Sequence, residues 1–178
     1  NMKNRGIDWG REKREQSSRD NIFGATSLPC IAQIPQGERI KYLPVGERQD
    51  IGDEKMDCAS RGPLNELEKK LNYLVRNHLL SPENEDFLFI HYWTPNGIEL
   101  SDVYIATLSG TTRQGNSLKS PLQTIHEWGV IPKKLLPQLP GWDENYDPKR
   151  ITEDMKKLGE EFIARLPVRY ERVYEKDF

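Results

Sequence analysis

A chain of 178 residues, 35% hydrophobic and 30% charged, is long enough for one domain with a core, or a domain plus an arm, under a strongly charged surface. A net charge of −2 argues against a general nucleic-acid-binding protein, and neither a bilayer-spanning apolar run nor a signal-peptide core is visible, so no membrane partner is expected. The two cysteines, Cys30 and Cys58, show no metal or redox spacing, which fits a reducing compartment with both thiols unpaired and no cofactor.

Residues 1–27 mix charges of both signs without periodicity, as in Arg11-Glu12-Lys13-Arg14-Glu15, and read as an extended or intermittently docked arm with Trp9 and Phe23 as anchors. Residues 28–178 then form the main domain. From Leu28 to Gly52, prolines and glycines punctuate short apolar stretches. Of these, Ile31-Ala32-Gln33-Ile34 and Ile40-Lys41-Tyr42-Leu43 are candidate strands.

The first firm helix begins at Cys58 or Pro63 and runs to Leu80. Its apolar stripe is Leu64, Leu67, Leu71, Leu74 and His78, with Glu66, Lys69, Lys70 and Arg76 turned away. Ser81-Pro82 ends it. Phe87-Leu88-Phe89-Ile90 with Tyr92 reads as a strand turning at Asn96-Gly97, and Ile98 to Leu108 continues in extended or mixed form.

A polar loop, Ser109 to Asn116, leads to a second helix with Ser120 as N-cap, Pro121 at the first position and Gln123 completing a capping box. Gly129 closes that helix and Pro132 prevents its resumption. Pro132 to Pro148 is a proline-rich connection holding Trp142 and Tyr146. A third helix starts at Thr152, with Ile151, Met155, Leu158, Phe162 and Leu166 as its stripe, and stops at Pro167; Val168 to Tyr174 reads as a last strand. The fold class is α+β.

Cys58 carries the chemistry. A thiol at the mouth of a helix meets the positive dipole end and unbonded N–H groups, which favour the thiolate. A small buried hydrophobe is the competing reading. A nucleophile needs a base, and three histidines are available. His78 belongs to an apolar stripe, His91 lies in the expected strand, and His126 sits on the second helix between Ile125 and Trp128, so packing or surface roles suit them better. Asp50, Asp53, Glu54 and Asp57 form an acidic turn that raises rather than lowers a nearby thiol's pKa, and they lack metal-ligand spacing. The Gly110 to Gly115 loop matches neither phosphate-loop pattern and is a cleft wall or a turn. Trp93, Trp128 and Trp142 are candidates for a groove or for packing.

Taken in order, Cys58-Ala59-Ser60 before a long helix, Leu100-Ser101-Asp102, Gly115-Asn116-Ser117, Pro121 to Val130 and Leu136-Pro137 resemble the papain family of cysteine peptidases. The stretch Ser109-Gly110-Thr111-Thr112-Arg113-Gln114-Gly115-Asn116-Ser117-Leu118 is similar to divergent papain-like proteins of bacteriophages and uncultured bacteria. The resemblance spans roughly Leu28 to Leu139. It implies a papain-like fold, here its helical half with the central nucleophile helix and the start of the β-rich half. It also implies Cys58 as nucleophile, Gln49 as an oxyanion donor, and Gly110, Gly115 and Asn116 along the substrate cleft.

The sequence departs from the pattern at several points. Ala59 replaces the usual tryptophan, the C-G-S context is absent, Gln49 stands further upstream than the pattern asks, and Pro63 falls inside the expected helix. The family's His and Asn lie about 130–150 residues beyond the cysteine, whereas 120 residues follow Cys58. The resemblance therefore implies a peptidase acting on peptide or protein substrates, with its His supplied from beyond residue 178 or by a second chain. The chain by itself would hydrolyse peptides poorly. The alternative is an inactive papain-fold binding or structural component, as in a bacteriophage particle, which would make it virion-associated.

Overall fold

The computed structural model describes residues 7–15, 33–44 and 55–170, and shows a mainly helical α+β arrangement with one two-stranded sheet. In chain order the elements are α1 (Trp9–Glu15), a short 3-10 helix (Arg39–Tyr42), α2 (Cys58–Arg76), α3 (Pro82–His91), β1 (Trp93–Thr94), β2 (Gly97–Ile98) and α4 (Asp102–Leu108). They continue with α5 (Lys119–Trp128), α6 (Trp142–Asn145), a second 3-10 helix (Pro148–Arg150) and α7 (Glu153–Arg165).

α2 follows from its leucine spacing: Leu64, Leu71, Leu74 and Val75 are buried along one face, against α4, α5 and β2. The helix begins at Cys58 and accommodates Pro63, whose absent N–H costs one intrahelical bond. It ends at Arg76, earlier than Leu80. His78 does not complete the stripe: it takes a left-handed φ of 50° and its exposed ring pairs with Glu85 at 3.0 Å. Lys69, expected on the outer face, is buried and paired with Glu66.

The expected strand at Phe87–Tyr92 is helix α3. Ser81-Pro82-Glu83 is a helix start as much as a stop, because proline suits the first position and acid the first turn. The helical period buries Phe87, Leu88 and the following Tyr92, and leaves Phe89 and Ile90 outside. The hairpin is present, with β1 and β2 antiparallel and Trp93 opposite Ile98, but its loop is Pro95-Asn96, one residue earlier than expected. Gly97 opens β2 at φ 106°. So short a sheet leaves N–H groups unpaired, and α2 supplies their acceptors: Asn72 Oδ1 takes Ile98 N–H at 2.9 Å and Glu68 Oε1 takes Leu100 N–H at 2.6 Å.

Ile40 to Leu43 is not a strand. Arg39–Tyr42 winds as 3-10, Ile40 faces out, and Tyr42 packs edge-on against Tyr73 of α2. Gln33 and Ile34 are irregular, and Ile31 and Ala32 lie outside the described residues. Residues 168–170 are likewise irregular, while 171–174 lie outside the described residues. Instead of extended chain, Asp102 to Leu108 forms α4, started by Ser101, whose hydroxyl accepts the Tyr104 N–H at 3.2 Å.

α4 is the centre of the core. Asp102, Val103, Tyr104, Ile105 and Ala106 are all buried, with α2 and α5 against it. α5 starts two residues before Pro121. Ser117 Oγ, not the expected Ser120–Gln123 box, takes the Ser120 N–H at 3.0 Å. Gly129 closes α5 as expected, at φ 66°. α7 also matches expectation, capped by Thr152 Oγ1 on the Met155 N–H at 3.3 Å.

α5 and α7 meet backbone to backbone. A Cβ at Gly129 would overlap the Gly159 carbonyl, and one at Gly159 would overlap the Trp128 carbonyl and stand 3.2 Å from the Tyr104 hydroxyl. Alanine is favoured over glycine by about 1 kcal/mol in an open helix, so helix propensity and packing oppose each other here. The Gly159→Ala variant should lose at least about 2 kcal/mol of stability in urea titration, since the group it overlaps is the Trp128 main-chain carbonyl. A gain in stability would refute this close approach.

Candidate functional site

The lead-in to α2 is tied down from several sides. Lys55 is fully buried, its ammonium donating to the Pro140 carbonyl, and the Tyr146 hydroxyl donates to the Lys55 carbonyl at 2.8 Å. Met56 adopts a left-handed φ of 53°, a conformation costing about 1 kcal/mol or more for a non-glycine residue. Asp57, expected on a solvated acidic turn, is instead fully buried. Its carbonyl accepts the N–H groups of Ser60 (2.8 Å) and Arg61 (3.0 Å). Asp50, Asp53 and Glu54 lie outside the described residues.

Cys58 is the first residue of α2 and is half-buried between buried Asp57 and Ala59. Burial and then the Asp57 charge push its thiol pKa up, while hydrogen bonding from the Ala59 and Cys58 backbone pulls less strongly the other way. The helix start alone therefore does not produce a thiolate at neutral pH.

Beneath Cys58 runs a buried charge cluster. Arg61 Nε donates to Asp57 Oδ1 at 3.1 Å, and its Nη2 lies 2.8 Å from Asp102 Oδ2 at the start of α4. Burial, then contact with Asp57, pushes the Asp102 carboxyl up to about 6, against the pull of Arg61. Tyr146, partly buried nearby, is held far above the ordinary phenol range, by loss of solvent first and then by the two carboxylates. Sequence reasoning missed Arg61, Lys55 and Tyr146 as members of this cluster. The Asp57–Arg61 spacing of one helical turn was a signal, but the partner Asp102 is distant in sequence.

The histidines are engaged elsewhere: His78 with Glu85, His126 Nδ1 with the Val168 carbonyl at 2.9 Å, and His91 against the Phe87 ring with centroids 5.1 Å apart. Gln49 lies outside the described residues, as do Cys30 and Phe23. The tryptophans pack separately, Trp93 on Phe89 and Trp142 on Tyr146, and Trp128 is partly exposed.

Gly110, Gly115 and Asn116 come together in one tight loop. Gly110 and Gly115 take φ of 70° and 102°, and Thr112 and Gly115 exchange backbone hydrogen bonds of 3.1 and 2.8 Å. Asn116 is fully buried and holds the loop from inside. Its amide donates to Ser109 Oγ (2.8 Å) and Thr111 Oγ1 (3.0 Å), and its carbonyl oxygen accepts the Ser117 N–H (2.9 Å). At the loop's tip the Arg113 guanidinium lies over Trp142, 5.1 Å from the ring centroid. Through Trp142 and Tyr146 of the α6 region, this loop and the lead-in to Cys58 are tied to the same short helix.

The charged arm covers the loop's other side. Arg11 donates to the carbonyls of Gly110 (2.9 Å) and Ser109 (3.0 Å) and to Ser120 Oγ (2.9 Å). Glu12 accepts the Leu118 N–H at 2.7 Å, Glu15 accepts from the Ser117 hydroxyl, and Lys119 donates to the Glu15 carbonyl at 2.9 Å. Trp9, expected as an anchor, is 61% exposed, so the described part of the arm, residues 7–15, is docked by polar bonds rather than by this ring. An open depression of about 410 Å³, lined by His91, Leu135, Met155 and Leu158 among others, shares no lining residue with the Cys58 cluster. Among the described residues no group of three or more His, Cys, Asp or Glu is arranged to hold a metal, and no helix is long and apolar enough to cross a membrane.

Because Arg11 supplies three of the arm's bonds, Arg11→Met should accelerate amide hydrogen exchange across residues 8–15 and 109–118 by about tenfold or more, with the α4 core amides unchanged. Equal exchange in the two proteins would show that the docking does not depend on Arg11.

No protein-family model, curated protein or solved structure matches this chain.

Proposed function

We propose that this chain is a papain-like cysteine peptidase or the nucleophile-bearing portion of one, with Cys58 attacking the carbonyl carbon of a peptide or protein substrate. The observation that carries the reading is a partly buried cysteine at the first position of a 19-residue helix whose next residues are buried. The order of the following elements supports it: a serine-capped helix after Leu100, a glycine loop, and a short helix ending at Gly129. The implied fold is the helical half of the papain-like architecture.

The chemistry assigns roles to particular groups. An imidazole from outside the described residues, further along the polypeptide or on a second chain, takes the Cys58 proton. The sulfur then bonds to the carbonyl carbon, whose oxygen becomes an oxyanion held by the Cys58 N–H and the Gln49 side chain. The imidazolium returns the proton to the departing amine, and water cleaves the thioester. With Asp57 beside it, the thiol needs that base more than an ordinary cysteine does. The Gly110 to Asn116 loop is a cleft wall whose glycines and main chain, rather than the inward-facing Asn116 amide, meet substrate.

A second reading is a papain-fold binding or structural component without catalysis, in a bacteriophage particle. It is favoured by the raised thiol pKa and by the three histidines being committed elsewhere. A fold alone confers no activity.

The test is hydrolysis of a peptide mixture by the protein purified from its natural source with any associated chains, compared with the Cys58→Ala variant. The peptidase reading expects a loss of at least about a thousandfold in kcat/KM. Equal rates, or none from the unaltered protein, would overturn it in favour of the binding component.

A further inference from the structure

Four ionisable side chains are withdrawn from water where the starts of α2 and α4 meet: Lys55, Asp57, Arg61 and Asp102, none more than 6% exposed. The Lys55 ammonium is turned to the Pro140 carbonyl. Arg61 engages one oxygen of each carboxylate, Asp57 Oδ1 and Asp102 Oδ2. Asp57 Oδ2 and both Asp102 oxygens are buried with no hydrogen-bond partner among the described residues, the Asp102 Oδ2 contact with Arg61 being an ion pair only, and both carboxyl groups are held against one guanidinium.

Ionised carboxylates only accept, so two of them facing each other cannot satisfy one another. With a single guanidinium between them, and the Lys55 ammonium turned to the Pro140 carbonyl, they would also leave the Asp57–Arg61–Asp102 trio with one negative charge in excess. One added proton removes both difficulties: it supplies the missing O–H donor and balances the pair against Arg61.

We propose that Asp57 and Asp102 form a buried carboxyl pair sharing one proton across the α2–α4 junction, and that the charge of this pair sets the acidity of the Cys58 thiol. Asp102 is then a positioning residue acting through Asp57, which adjoins Cys58. The groups facing Asp102 are Asp57 ahead of α2, Arg61 on α2, Lys133 after α5 and Tyr146 after α6. Of these, the two cations favour the ionised pair, whereas burial and the neighbouring carboxylate favour the shared proton.

The direction of the effect follows. As pH rises through about 6 the shared proton leaves, the pair gains a negative charge, and the thiol becomes harder to ionise. Because the folded state holds this proton at a higher pH than an unfolded carboxylate does, folding stability from this group falls as pH rises from about 4 to about 6 and is level above. The inference concerns a thiol and two carboxyls, and stands whether or not Cys58 attacks peptides.

The experiment is the pH profile of iodoacetamide alkylation at Cys58, read by peptide mass spectrometry with Cys30 as internal reference, for the unaltered chain and Asp102→Asn. The asparagine keeps the shape and offers Asp57 a permanent N–H. The unaltered protein should show a shoulder near pH 6, where the rise in rate flattens. The variant should lack it and react about fivefold faster at pH 7.5, the scale expected for removing one nearby charge. Carboxyl ¹³C resonances of the unaltered protein provide a second measurement that needs no substitution, and one aspartate should titrate near pH 6. Superimposable alkylation profiles, or both aspartates titrating below pH 5, would overturn the proposal.

Discussion

The contact on which the rest of this structure depends is Arg61 held between Asp57 and Asp102. Taking three charged groups out of water costs several kcal/mol per ion, and the arrangement is tolerable only when the partners are correctly seated. The planar guanidinium reaches one carboxylate just before α2 and another at the start of α4. The two helix starts must therefore converge, and a slide of either helix by one turn would leave a buried charge without its counter-ion. Both carboxylates also lie at helix N-termini, where the dipole favours negative charge by about 0.3–1 kcal/mol. That is too little to offset burial at Asp102, whose carboxyl is still pushed up.

From this junction the core follows. With its first residue fixed to Arg61, α4 runs buried through the middle of the described structure, Val103, Tyr104, Ile105 and Ala106 touching neighbours on every side. Only a helix short enough to be enclosed, and mostly apolar beyond its first residue, can occupy that place. α7 then closes over α5 at Gly129 and Gly159, where main chain rather than side chain sets the spacing. The hairpin cannot satisfy its own edge, so Glu68 and Asn72 turn inward from α2 to do so. Polar residues on a helix's buried face are in this case backbone acceptors for another element.

The elements legible in the sequence were those whose stabilisation is local. The α2 leucine stripe, the Thr152 cap and the Gly129 terminator need no distant partner, and all three are where periodicity and capping rules put them. Phe87 to Tyr92 was misread because four consecutive apolar residues satisfy a strand and a buried helix equally. The choice was made by the core, which takes Phe87, Leu88 and Tyr92. His78 was misread because the chain leaves the helix two residues before it, so the helical spacing no longer applies. In the site, Cys58 at a helix start was legible. The buried Asp57–Arg61–Asp102 cluster was not, because a charged residue at helical spacing ordinarily marks a solvated face. Nor was the arm's means of docking, whose grip runs through Arg11, Glu12 and Glu15 to a loop about a hundred residues away.

The same constraint that fixes Cys58 works against its ionisation. A cysteine beginning a helix gains from the dipole and from adjacent N–H groups, yet here burial and the Asp57 carboxylate outweigh them and the thiol pKa rises. Asp57 cannot move away, since it is bonded to Arg61 and its carbonyl starts the helix. Position and activation are therefore separate properties of this residue. The scaffold supplies the first by making Asp57 structural. The second would require either a base strong enough to overcome that carboxylate or neutralisation of its charge. A helix N-terminus is therefore a place for a nucleophile and not by itself the cause of one.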